Sequence, residues 1–174
     1  GNPDLVSETS ESAELGFRYE LGAFHAVVNL YKMDVENLIQ WQADEIYFFQ
    51  PQNVSDAEIE GGEFSLKFEG ELGMHVFNLS YTESLDKATG LQLIRRAKQE
   101  FGYRFSTQLA EADLYVEYLY KGKAYDTDFV LGRVILDSYQ LVNLAASYPV
   151  TAKLSVKARL SNGLDEEYIT AYNY

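Results

Sequence analysis

Leu15, Phe17, Tyr19 and Leu21 alternate with Glu14, Gly16, Arg18 and Glu20, the period of two that marks a strand with one apolar face. The same alternation recurs at Phe64, Leu66 and Phe68 within Glu63 to Glu69. It recurs at Phe77, Leu79 and Tyr81 within Met74 to Tyr81, where it puts His75 on the apolar side. Glu71-Leu72-Gly73 suits a tight connection between these two. Leu114 to Tyr120 and Ala124 to Leu131 flank Lys121-Gly122-Lys123, which predicts a hairpin, with a bend at Gly132 into Arg133 to Leu136. Val150 to Leu160 alternates without a break, and Asn162-Gly163 predicts the turn joining it to a strand at Tyr168 to Tyr172. Glu45 to Phe49 reads as a buried strand stopped at Pro51.

Ser84 to Gly102 departs from this period. Gly90, Ile94, Ala97 and Phe101 fall on one helical face, Ser84 is placed to cap the N-terminus, and Asp86 lies in the first turn, where the helix dipole favours a carboxylate. Gly102 is placed to end the helix in the left-handed conformation, and the polar stretch Ser106 to Asp113 is a candidate extension. Val35 to Gln42, capped by Asp34, predicts a second, shorter helix; Phe24 to Met33 fits either period. Asn53 to Gly62 reads as a loop. The expected architecture is α+β and strand-rich: a mostly antiparallel sheet packed on one main helix at about 84–102. A β-sandwich with one inserted helix is the alternative. Residues 1–12 read as a flexible polar leader and 13–174 as one globular domain.

Tyr31 to Pro51 carries Asp34, Leu38, Trp41 and Asp44 in a D…L…W…D rhythm. In this it resembles the helix-then-strand opening of the nuclear-transport-factor-2-like cone fold. The resemblance implies a helix leading into the first strand of a cone. The next helix of that fold is replaced here by an acidic loop and a strand, and no site residues are carried over.

Composition narrows the function. Fourteen Tyr and ten Phe suit pleated surfaces. With 27 acidic against 14 basic residues the net charge is −13, which repels phosphate backbones and argues against nucleic acid as a partner. The absence of cysteine excludes disulfides and thiolate chemistry. No run approaches the ~18 apolar residues of a spanning helix, so no transmembrane segment is expected. The polar opening is of the kind that follows a removed export signal or a lipid-anchored residue, or it marks an arbitrary chain boundary.

Candidate chemistry is sparse. Ser84-Leu85-Asp86-Lys87 matches the S-x-x-K pattern of a serine nucleophile but lacks that class's partner motifs, and a helix cap explains Ser84. His75 reads as a hydrogen-bonded core residue, and His25 has no assignable role. Asp126 and Asp128 share a strand face that suits a hard cation, yet Phe129 and Val130 break the calcium-loop pattern, leaving a solvated hairpin edge. Asp56, Glu58, Glu60 and Glu63 read as a charged surface loop. Arg95, Arg96, Lys98 and Arg104, with Lys153, Lys157 and Arg159, offer a site for a small anion or simply solvated faces. Tyr115, Tyr118, Tyr120 and Tyr125, with Tyr168, Tyr172 and Tyr174, suit a protein or carbohydrate ligand. Asn53-Val54-Ser55 and Asn78-Leu79-Ser80 are formal glycosylation acceptors. No catalytic, cofactor-binding or metal residue is assigned. The reading these features favour is a non-catalytic binding module, exported or tethered to the cell envelope, with a cytoplasmic location as the alternative. A self-assembling structural subunit of an envelope or appendage is a second reading. A small enzyme or ligand carrier with a pocket between sheet and helix is a third.

Overall fold

Nearly every described residue of the computed structural model lies in a strand or in a link between strands; it describes residues 2–43, 49–53, 55–128 and 130–172. Among these residues twelve strands follow one another: β1 (Thr9–Leu21), β2 (Phe24–Glu36), β3 (Ile39–Ala43), β4 (Phe49–Asn53), β5 (Ala57–Gly70), β6 (Gly73–Asp86), β7 (Gln99–Leu109), β8 (Ala112–Lys121), β9 (Ala124–Asp128), β10 (Gly132–Leu136), β11 (Tyr139–Thr151) and β12 (Leu154–Leu160). Eight of them form one antiparallel sheet in the order β1-β2-β5-β6-β7-β8-β11-β12, while β3-β4 and β9-β10 are separate two-stranded ribbons.

The links differ sharply between the two ends of the sheet. At one end β1–β2, β5–β6, β7–β8 and β11–β12 are joined by two-residue turns. Gly22 and Ala110 take left-handed backbone there, at φ 57° and 55°, as a turn that matches strand twist requires. At the other end the links are long: 37–56 carries the β3-β4 ribbon, 87–98 joins β6 to β7, 122–138 carries the β9-β10 ribbon, and 161–172 follows β12.

The main helix expected at 84–102 does not exist; the fold is all-strand among the described residues. Ser84 and Asp86 finish β6 in register with Ile59 and Ala57 of β5, and their backbones bond to the returning link, the Asp86 amide donating to Leu91 O. The chain then reverses: the Asp86 carboxylate accepts from the Ala88 and Thr89 amides, and Gly90 sits at φ 68°. Leu93 N–H returns to Ser84 O, and Gln99 to Leu109 runs back as β7, so Gly102 is mid-strand rather than a helix end. Ser106 to Asp113 spans the end of β7 and the start of β8. The helix predicted for Val35 to Gln42 is likewise strand, broken at Asn37 by φ 56°, so the cone-fold likeness fails with it. Ala57 to Gly62, expected as loop, pairs with β2 and β6. Residues 45–48 of the strand expected before Pro51 lie outside the described residues.

Three further expectations are corrected by the register. β8 pairs with β7 and β11, and β9 pairs with β10, so Leu114 to Leu131 is not a hairpin. Val150 to Leu160 is interrupted by the turn at residues 152 and 153. Asn162 is left-handed as a turn residue should be, but Tyr168 to Tyr172 is irregular chain.

Burial is inverted relative to a water-soluble sheet. Leu15, Phe17, Tyr19 and Leu21 are each more than half exposed, as are Leu79, Leu154, Val156 and Leu160. The buried apolar residues gather instead at the long-link end. Val35, Leu38, Ala57 and Leu93 form one cluster there, and Ala97, Ala124 and Leu136 form another with Tyr172 against them.

Candidate functional site

Register places cross-strand partners on a common face, so each face of the sheet can be read along its rows. One row runs Phe17, Val28, Phe64, Leu79, Phe101 and Tyr120; the next runs Tyr19, Ala26, Leu66, Phe77, Tyr103 and Tyr118, continuing to Val142. This face is apolar over all eight strands. Towards the long-link end it becomes charged, with Lys32 on Glu58 at 2.7 Å, Lys87 on Asp34 at 2.5 Å and Lys98 on Glu83.

The opposite face is polar. Its rows include Gly16, Asn29, Glu63, Ser80 and Glu100, then Arg18, Val27, Ser65, Asn78 and Gly102. The groups bond one another: Ser65 donates to Asn78 at 2.9 Å, Tyr31 and Thr82 share a bond of 2.6 Å, and Tyr115 and Asn143 both donate to Glu117, at 3.0 and 2.9 Å. A trough of about 540 Å³ lies against this face, lined by Asn29, Glu63, Asn78, Arg104, Glu117 and Tyr139.

The long-link end meets this polar face at Tyr139, on which Tyr168 of the segment after β12 stacks. Asp126, only 1% exposed, accepts from Arg95 Nε at 3.1 and 3.0 Å, from the Thr127 amide at 2.9 Å and from the Tyr172 amide at 2.8 Å. Burial pushes the Asp126 carboxyl up, but the Tyr172 and Thr127 amides and the Arg95 guanidinium outweigh it and hold the group below its ordinary value. Asp128 accepts from the Val130 and Leu131 amides in the ribbon turn. The two aspartates do share a face, but both are buried and hydrogen-bonded, not a solvated edge. No cluster fit to hold a metal occurs among the described residues.

The remaining sequence candidates disperse. Ser84 is fully buried with its hydroxyl unpartnered among the described residues, and Lys87 is paired with Asp34, so they form no nucleophile pair. His75 does lie on the apolar face, its Nδ1 2.8 Å from the Tyr103 hydroxyl and its ring tilted on Phe105 at 4.7 Å. His25 lies 3.7 Å from Glu20. Glu58 and Glu60 are strand residues that flank Lys32. The tyrosines split between faces: Tyr118 and Tyr120 lie on the apolar face, whereas Tyr115 lies on the polar one. Tyr168 stacks on Tyr139 at 4.3 Å; Tyr174 lies outside the described residues. Sequence reading missed Asp126 as a hub because its partners are 31 and 46 residues away.

An antiparallel meander, apolar on one whole face and polar on the other, with tight turns at one end and long links at the other, defines a wall of a membrane-spanning β-barrel. Among the described residues no helix is long and apolar enough to cross a membrane, but strands cross by a different rule, and the expectation of no transmembrane segment is overturned. The chain belongs to the TonB dependent receptor-like, beta-barrel family, whose model matches residues 1–162, and this places it in the cell envelope. It is 32% identical over 178 residues to the vitamin B12 transporter BtuB of Photobacterium profundum, a match covering 100% of this chain and 29% of that protein. Among solved structures it resembles the copper transporter OprC, with a TM-score of 0.78 at 16% identity, over 96% of this chain and 28% of that one. The siderophore receptor PirA from Acinetobacter baumannii gives 0.75 at 19%, over 95% and 29%. At these identities the structures establish the fold. The chain spans under a third of the length of these proteins.

Proposed function

We propose that this chain is one wall of an outer-membrane transporter and that its long-link end is the extracellular mouth of a pathway for a large, uncharged or weakly charged ligand of the vitamin B12 class. Barrels of this kind keep short turns on the periplasmic side and long loops outside. That asymmetry orients the chain, with Gly22 and Leu72 inside the cell envelope and the β3-β4 and β9-β10 ribbons outside. The polar face then lines the lumen and the apolar face meets lipid. Among the described residues β1 and β12 each have one neighbour in the sheet. Strands of a longer protein, rather than a second copy in a self-assembling array, would continue those edges, because the relatives extend well beyond this chain.

The ligand class rests on the BtuB likeness, and the chemistry of the mouth agrees with it. Arg95 and Lys123 of the long links are each neutralised by a carboxylate, as are Lys32, Lys87 and Lys98 on the outward face at the same end. An anionic chelate would find few free cations there and a strongly acidic surround. Val130, Leu131 and Ile135 on one ribbon and Trp41 on the other are exposed apolar contacts of the type that large organic ligands use.

Uptake by cells carrying the full-length protein tests this reading. Saturable accumulation of labelled vitamin B12, absent from cells lacking the protein, is expected. Accumulation of copper or ferric siderophores in its place contradicts the ligand assignment, and no uptake by a folded barrel contradicts transport.

A further inference from the structure

Three links that are remote in sequence meet at one carboxylate. Asp126 stands on β9, off the main sheet, and receives Arg95 from the β6–β7 link and the Tyr172 amide from the segment after β12. The contact is reinforced on each side. The Arg95 amide donates to Tyr125 O at 2.6 Å, so the side chain and backbone of one residue both grip β9. Arg133 of β10 lies 4.1 Å over the Tyr125 ring and donates to Gln92 O at 2.6 Å. Ala97, Ala124, Leu136 and Tyr172, drawn from the same three segments, pack around it.

Arg95 itself is held at φ 58°, a conformation that a side chain with a Cβ resists and that persists only where its surroundings enforce it. Its contacts to Tyr125 and Asp126 contribute to that hold. Among the described residues the segment after β12 has other ties as well, the Asn162 amide donating to Asn143 Oδ1 at 3.0 Å. Asn162 bonds with Glu166, Gly163 N–H reaches Val142 O, and Tyr168 stacks on Tyr139 of the polar wall.

From this geometry we infer that Asp126 is a positioning residue that latches the 87–98 link, the β9-β10 ribbon and the 161–172 segment into a single canopy over the mouth, so that the two outer segments release together when it lets go. The consequence for ligand entry rests on the transporter reading. The coupling rests on the contacts alone.

Asp126→Asn keeps the shape but sets an amide N–H against the N–H donors of Arg95 or Tyr172, while Arg95→Gln removes one arm only. Hydrogen–deuterium exchange on the full-length protein in lipid nanodiscs reads each segment without any ligand. With Asp126→Asn, exchange is expected to rise about tenfold or more in both 87–98 and 161–172. Arg95→Gln is expected to raise it in 87–98 alone. The strand amides of β5 to β8 and the gel mobility of the unheated barrel stay as in wild type. Loosening of one segment or neither in Asp126→Asn overturns the latch. So does loosening throughout the sheet with loss of barrel mobility, which makes Asp126 a folding residue. If the two-segment pattern holds and vitamin B12 uptake is nil even in wild type, the transporter reading fails and the latch stands.

Discussion

An arginine placed at Leu79 and one placed at Ser80 should have very different effects, although the positions are adjacent. On β6 the apolar-face positions run His75, Phe77, Leu79, Tyr81 and Glu83. Leu79 therefore lies midway between the first polar groups at either end. Four residues cover about 13 Å of strand, and with a strand tilt of about 40° that is about 10 Å of depth. Leu79, 52% exposed, thus sits near the middle of the apolar band, where an arginine costs about 2–4 kcal/mol. At about 3 kcal/mol the ratio of folded to unfolded protein falls roughly 150-fold. Ser80 points to the polar face, between its cross-strand partners Glu63 and Glu100. Leu79→Arg should therefore be strongly destabilising, and Ser80→Arg should stay within about 0.5 kcal/mol of wild type. Urea titration of the full-length barrel in phospholipid vesicles, with the folded fraction read from gel mobility without heating, measures both. Equal costs, or a larger cost at Ser80, would refute the assignment of the apolar face to lipid.

Three further outcomes follow from the packing. A Cβ at Gly61 would lie 2.3 Å from Tyr81 O and 2.8 Å from the Tyr31 hydroxyl, whereas one at Gly102 meets only Leu119 at 3.6 Å. Gly61→Ala should cost about 1–3 kcal/mol and Gly102→Ala little, by the same titration. The buried Ser84 hydroxyl has no partner among the described residues, so Ser84→Ala should stabilise the barrel by about 1 kcal/mol. Asp126 titrates below its unfolded value, with the Arg95 guanidinium on it, the Tyr172 and Thr127 amides bonded to it, and Arg133 nearby over Tyr125. Its contribution is therefore full above about pH 4 and is lost as pH falls through the lower folded value. Exchange in 87–98 and 161–172 should be flat from pH 5 to 7, after correction for intrinsic rates, and rise only in acid.

How much of this was legible in the chain depends on which physical rule each residue obeyed. The alternations of β1, β5 and β6 were readable because a barrel strand and a half-buried soluble strand share a period of two. Nothing in that period says whether the apolar side meets a core or lipid. Leu15 to Leu21 looked like one half of a buried layer for this reason. A long apolar run is not needed for such a strand, because strands cross on alternating residues. The 84–102 reading failed differently: Gly90, Ile94, Ala97 and Phe101 match helical spacing by coincidence. Ala97 is buried at the hub and Phe101 faces outward on β7. Cross-strand bonds to β5 and β8, which no local pattern encodes, decided the backbone. The spacing of Asp126 from Asp128 says nothing of its partners, the distant Arg95 and Tyr172.

The orientation of the wall is tested most directly by labelling single cysteines introduced into the full-length protein on intact cells with a large, membrane-impermeant maleimide. Val130→Cys, at the tip of the β9-β10 ribbon, and Leu72→Cys, in the β5–β6 turn, replace side chains that are 89% and 77% exposed. If the long links are extracellular, Val130→Cys reacts on intact cells and Leu72→Cys reacts only after the outer membrane is permeabilised. Labelling of Leu72→Cys on intact cells, or of both sites equally, would contradict a membrane-spanning wall with its mouth facing outward.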